Sequence, residues 1–82
     1  DVYKRQVQIS IDAGQNLILS KLSLSEWIIS QAKVKELAIG EININEKYTT
    51  VDIHAESAQR VLEILERRDY NGNKLVAELA IR

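Results

Sequence analysis

The sequence lacks cysteine, and it also lacks any apolar segment long enough to cross a bilayer. Without cysteine, neither disulfide bonds nor thiolate metal sites can form; this fits a reducing compartment, so we expect a cytoplasmic location. No window approaches the ~20 consecutive apolar residues of a transmembrane helix, and the start shows no basic-then-apolar signal pattern. We therefore expect one small globular domain with no membrane partner.

Methionine is absent as well, and the chain starts at Asp1. We expect a piece of a longer protein or a processed one, in which residues 1–6 are a tail or linker and residues 7–82 form a single domain. Neither sign of charge dominates, since the net charge is −1 at pH 7. Because contacts between cations and phosphates supply most nucleic-acid affinity, this balance leaves only local basic patches for such a role.

The residues that usually carry catalysis are scarce. His54 is the only histidine, and no nucleophile-elbow serine, glycine-rich phosphate loop or metal-spaced cluster is present. A lone histidine at a strand-to-helix junction is expected to be a surface or near-cap residue. The predicted polar face of the sheet carries four carboxylates, which we interpret as solvated residues rather than a metal site: Asp12, Glu41, Asp52 and Glu78. We therefore predict no catalytic residue, no metal and no cofactor.

Alternation of apolar and polar residues predicts four short strands, over 7–11, 39–44, 48–53 and 75–79. In the third strand, alternation directs every second side chain to the core and leaves Tyr48, Thr50 and Asp52 on the opposite face. The predicted sheet therefore has one apolar face and one polar face, with a tyrosine on the polar one.

Two amphipathic helices are predicted between the strands. The sequence Ser-Leu-Ser-Glu at 23–26 fits a capping box, and apolar residues at helical spacing carry the first helix to about Val34. The second helix starts near Glu56 and ends near Arg67 and Arg68, where the charges favour the helix dipole. We expect the apolar segment at 17–19 to cover the core, Gly40 to turn the chain into the second strand, and Asn-Gly at 71–72 to form a turn.

The element order βαββαβ predicts an α+β, ferredoxin-like or RRM-like sandwich, in which two helices cover one face of a four-stranded antiparallel sheet. The same order serves small enzymes such as acylphosphatases, whose anion cradle follows the first strand and requires an arginine. The corresponding loop here, Ala-Gly-Gln-Asn at 13–16, has none. This difference favours a domain without catalytic activity.

Three segments together resemble a known RNA-binding domain: an Ile-Gly-x-Ile-x-Ile strand at 39–44, an aromatic-x-x-Val-x-Ile strand at 48–53, and an Asn-Gly turn at 71–72 before Asn-Lys-Leu. In this order and spacing, with Ile-Asp-Ala-Gly at 11–14, they resemble the C-terminal RRM-like domain of DbpA-type DEAD-box RNA helicases. The resemblance implies a non-catalytic accessory domain that tethers a helicase core, carried in cis, to structured RNA, often ribosomal. The alternative is a protein-interaction or dimerisation module on the same fold, and the oligomeric state stays open.

The resemblance also implies RNA-binding residues, because the first and third strands of RRM-like sheets carry the base-stacking positions. Tyr48 matches one of these positions, whereas Thr50 and Gln8 replace the other aromatics, so this face stacks one base rather than two or three. The cations that remain to contact phosphate are Lys21, Lys47, Lys74, Arg67 and Arg68. Alternatively, these residues only keep the surface soluble. Arg67 and Arg68 are equally explained as positive charges that favour the end of the second helix. Departures from the family pattern include Glu41 in place of the usual lysine and a basic tail reduced to Arg82.

Overall fold

A computed structural model describes residues 6–18 and 20–80. Its elements are β1 (Gln6–Ile11), α1 (Lys21–Ala32), a short 3₁₀ helix (Glu36–Ala38), β2 (Ile39–Ile44), β3 (Thr49–His54), α2 (Ala55–Arg67) and β4 (Ala77–Ala80). The strands form one sheet in the order β2-β3-β1-β4, with every neighbouring pair antiparallel. The predicted βαββαβ sandwich is confirmed. β1 begins at the last residue of the expected tail, and residues 1–5 lie outside the described part.

The core lies between the sheet and the two helices, and side-chain alternation along the strands fills it. Ile9 and Ile11 of β1 and Val51 and Ile53 of β3 are completely buried. From the helices, the buried side chains are Leu24, Ile28 and Ala32 of α1 and Ala58, Val61 and Leu65 of α2. Each large apolar side chain that is fully buried stabilises the fold by about 1.5–3 kcal/mol. The other set of strand residues is left on the open face of the sheet.

The start of α1 differs from the prediction. Ser20, and not Ser23, is the N-cap: its Oγ accepts a hydrogen bond from the Ser23 amide at 3.1 Å. The predicted capping box at 23–26 is therefore wrong, because a serine three residues earlier already satisfies the free amide of the first turn. At the other end, Lys33 adopts the left-handed conformation (φ 59°) and ends the helix at Ala32.

The two serines can be separated by substitution. Ser20→Ala should lower the free energy of unfolding by about 1 kcal/mol, since the Ser23 amide loses its acceptor. Ser23→Ala keeps that hydrogen bond and should change stability by less than about 0.5 kcal/mol. Urea denaturation followed by circular dichroism measures both. Equal losses, or a larger loss for Ser23→Ala, would contradict the assignment of the cap.

The connection between β1 and α1 covers the core as predicted. Ile18 is buried, and Leu17 packs against the core while partly exposed; Leu19 lies outside the described residues.

Gly40 differs from the prediction. It lies inside β2 where the register against β3 shifts, and a Cβ there would lie 3.1 Å from the Cβ of Asp52. A bulge, rather than a turn, explains this glycine.

The turn after α2 closes on a buried tyrosine. Asn71 and Gly72 both have positive φ, as predicted for an Asn-Gly turn, and two backbone hydrogen bonds join Tyr70 to Asn73. The Tyr70 ring meets Trp27 of α1 edge-to-face, with centroids 5.4 Å apart. Burial raises the pKa of the Tyr70 phenol above its usual 10.0. The folded state therefore favours the neutral phenol of Tyr70. The stability that this neutral phenol contributes is present below pH 10 and is lost as the pH rises further.

None of the helices in 6–18 and 20–80 combines the length and the apolar character that crossing a bilayer requires.

Candidate nucleic-acid interface

The face of the sheet opposite the helices is open and polar. One row of directly opposed residues crosses all four strands: Asn43 of β2, Thr50 of β3, Ser10 of β1 and Glu78 of β4. Neighbouring side chains in such a row lie within contact range of one another. All four are polar and none is aromatic, so the centre of the face offers no ring on which a base could stack.

The next row carries the predicted first-strand position. Gln8 lies opposite Asp52, and its Nε2 donates to an Asp52 carboxylate oxygen at 3.4 Å. The amide that replaces the family's aromatic residue is therefore occupied by a neighbour on the same face. Gln8 and Thr50 lie on the open face as predicted, and their role in binding remains a prediction.

A corner with one aromatic, one apolar and one acidic side chain lies at the end of the face where β3 begins. Tyr48 is 50% exposed and Val76 is 62% exposed. The Asp12 amide donates to the Val76 carbonyl at 2.8 Å, and extending the β1–β3 register by one residue places Asp12 opposite Tyr48. We call these three residues the open-face corner. Among them, Tyr48 offers the only aromatic ring.

Val76 was not among the residues singled out from the sequence as RNA-binding. It lies between Leu75 and Ala77, which are both buried. Alternation therefore places Val76 on the open face, and this is the signal that the sequence offered. Val76 and Tyr48 lie on either side of Asp12, because β4 and β3 both pair with β1. The sequence alone did not specify this pairing.

The turn that carries Lys47 and Tyr48 packs closely on the loop after β1. The Gln15 amide donates to the Asn45 carbonyl at 2.9 Å. A Cβ at Gly14 would lie 2.3 Å from the same carbonyl oxygen, and within 2.4 Å of the Glu46 carbonyl oxygen. Only glycine permits this approach of two backbones, so Gly14 fixes the position of the turn.

A buried hydroxyl orients the start of β3. Thr49 is completely buried, and its Oγ1 donates to the Ala13 carbonyl at 2.7 Å. This hydrogen bond holds Thr49 toward the core. Tyr48, the preceding residue, is therefore directed to the opposite face and remains accessible.

The cations that the sequence suggested are not brought together. The four strands contain no lysine or arginine but three carboxylates, Glu41, Asp52 and Glu78. Lys47 lies beside Tyr48, and Lys74 lies two residues before Val76. The other three candidates belong to the helical layer. Lys21 starts α1 near the edge of β2, Arg67 ends α2, and the Arg68 guanidinium donates to Gln31 of α1 at 3.4 Å.

The carboxylates and the histidine form no metal site in the described ranges. No group of three or more His, Asp or Glu side chains there lies close enough to hold an ion. His54 occupies the N-cap position of α2, and its Nδ1 lies 4.0 Å from a carboxylate oxygen of Glu56. Its position at the helix start agrees with the near-cap location predicted for it.

Comparisons with known proteins bear on the family and the fold. A family model described as the DbpA RNA binding domain matches residues 8–79. Among solved structures, a chain from "Structure of the Chaetomium thermophilum Mex67:Mtr2 Complex" superposes with a TM-score of 0.71, covering 93% of this chain and 94% of that chain at 21% sequence identity. At that identity the likeness supports the fold alone. A search of curated proteins found no match.

Proposed function

The chain belongs to the family of DbpA RNA-binding domains, and from this premise we propose that it tethers a DEAD-box helicase core, carried in the same polypeptide, to structured RNA such as ribosomal RNA. Membership in the family makes the domain a non-catalytic RNA-binding module. ATP hydrolysis and unwinding would belong to the helicase core. A cytoplasmic location is part of the proposal.

The observation that carries the proposal is the open-face corner. Tyr48 presents a half-exposed ring at the edge of the polar face, and the adjacent Lys47 supplies a cation. A base can stack on the ring while its phosphate approaches the lysine. Stacking on an aromatic side chain contributes about 1–3 kcal/mol per base. Because the centre of the face has no aromatic residue, the corner holds one base.

Substitution of Tyr48 tests this function. Tyr48→Ala should lower affinity for a structured ribosomal RNA hairpin by about tenfold, because it removes the stacking surface. Tyr48→Phe keeps the ring and should retain affinity within about twofold. Fluorescence anisotropy at low salt, with labelled hairpin and increasing protein, measures all three proteins.

Leu22→Ala is the matched control, since Leu22 is 67% exposed and lies away from the corner, in the first turn of α1. It should leave RNA affinity unchanged. Absence of binding by the parent chain at low salt would reject the RNA function. Equal affinity of the parent and Tyr48→Ala would instead reject the corner as its site.

A protein-interaction module is the second candidate, and one surface feature favours it. Leu22, at the start of α1, is 67% exposed. It lines a shallow groove with Ile39 and Ile42 along β2, an edge strand of the sheet. An exposed apolar residue beside a free strand edge is typical of a protein contact. Self-association measured by analytical ultracentrifugation, and its loss in Leu22→Gln, would support this candidate.

A further inference from the structure

The four strands contain no lysine or arginine, but three such side chains from other segments converge on one cleft. The cleft has a volume of about 570 Å³ and lies where β3 runs into α2. Lys33 and Lys35 line it from the connection after α1, and Arg60 lines it from α2. We call these three residues and the space between them the basic cleft. None of the three was singled out from the sequence.

Within 6–18 and 20–80, no carboxylate lies within ion-pair distance of the cations of the basic cleft. In the described ranges, the single basic–acidic pair within 4.0 Å is His54 with Glu56, so Lys33, Lys35 and Arg60 form no ion pair there. Glu56 is the one carboxylate that lines the cleft, against these three cations. All three cations are exposed. Among the residues that the structure describes, the lining of the cleft therefore carries three cations against one carboxylate.

The open face has the opposite character. Its carboxylates, including Asp52 and Glu78, would repel a phosphate, and no strand residue offers a compensating cation. RNA affinity depends on cations that neutralise phosphates and release counterions. Most phosphate contacts of a bound RNA must therefore come from outside the sheet.

We propose that the basic cleft binds the phosphodiester backbone of the RNA, while the open-face corner holds a base. This inference rests on the proposed function and adds a second contact region to it. Tyr48 and His54 are six residues apart along one extended strand, which separates the corner from the cleft end of the sheet by roughly 20 Å. An RNA that touches both regions must span this distance. The arrangement therefore selects a structured or extended RNA over a mononucleotide.

The decisive variant is Lys35→Gln with Arg60→Gln. It removes two charges of the cleft at exposed positions, so the fold should be retained, which a circular dichroism melt checks. Affinity for the structured RNA hairpin should fall about tenfold at low salt, and the slope of log K against log salt should decrease by about 1.4, since each lost phosphate contact removes about 0.7.

The control changes the net charge equally but outside the cleft. Leu22→Glu with Ser23→Glu adds two negative charges at exposed positions in the first turn of α1, at the opposite end of that helix from Lys33. It should change affinity less than about threefold, because screened charges away from the contact act weakly. Equal losses in the two double variants, or no loss in either, would overturn the basic cleft as a phosphate site and leave the proposed function standing.

Failure of the function itself has a different signature. If the parent chain binds no RNA at low salt, the proposed function and the cleft's role in it are both rejected. A parallel titration with a glutamate-rich peptide then measures directly whether the basic cleft binds an acidic ligand. Binding of that peptide, lost in Lys35→Gln with Arg60→Gln, would assign the cleft to an acidic protein segment instead of RNA.

Discussion

Gly14→Ala is expected to lower the free energy of unfolding by about 3 kcal/mol. A Cβ at this position would lie 2.3 Å from the Asn45 carbonyl oxygen and 2.4 Å from that of Glu46. Both obstructing atoms belong to the backbone, so no side-chain rotation relieves the overlap. The turn between β2 and β3 must move, and it is held by the hydrogen bond from the Gln15 amide. Urea denaturation measures the loss.

The same substitution should weaken RNA binding, because the displaced turn carries Lys47 and Tyr48. At a urea concentration far below the unfolding midpoint, the remaining folded protein should bind the hairpin less tightly than the parent. Gln15→Ala is the matched control, since Gln15 is exposed and keeps its backbone amide; its effect on stability should be within about 0.5 kcal/mol. An unchanged unfolding midpoint for Gly14→Ala would show that the two backbones are not in contact.

Leu65→Ala is expected to cost about 2–5 kcal/mol of stability. Leu65 is completely buried on the face of α2 that packs against the sheet. Truncation removes apolar contacts and leaves a cavity that the short strands cannot fill. A domain of this size has a total stability of only several kcal/mol, at about 0.05–0.15 kcal/mol per residue. The variant should therefore be partly unfolded near 37 °C.

Leu37→Ala is the matched control, since it makes the same leucine-to-alanine change at a side chain that is 93% exposed. Its effect should be within about 0.5 kcal/mol. Thermal unfolding followed by circular dichroism compares the two. Similar melting temperatures for both variants would contradict the assignment of Leu65 to the core.

The fold follows from the sequence because its signals are local and agree with one another. Alternation in β3 predicted that Thr49 faces the core and Tyr48 the open face, and both are observed. The predicted start of α1 was wrong because Ser20 and Ser23 are both good N-cap residues, and local sequence does not decide between them. The prediction that Gly40 forms a turn before β2 was wrong for a related reason. A bulge depends on the register of β2 against β3, which local sequence does not give.

The candidate site was predictable only in part. The family pattern locates Tyr48, and Lys47 is its neighbour in the chain. Val76 shares the corner with Tyr48 only because β4 and β3 both pair with β1, and a single sequence does not give this pairing. The basic cleft joins Lys35 after α1 to Arg60 within α2, and neither residue marks a motif. Convergence of charges from distant segments is a property of the packed structure.

The most direct test of the account is a map of backbone amide shifts on the ¹⁵N-labelled chain as a structured ribosomal RNA hairpin is added. The largest changes should fall in two groups, around Lys47 to Thr50 at the open-face corner and around Lys33 to Lys35 at the basic cleft. Amides on the outer surface of α2, such as those of Glu63 and Glu66, should stay in place. Changes confined to the outer surfaces of the helices, or no changes at low salt, would contradict RNA binding through this face and cleft.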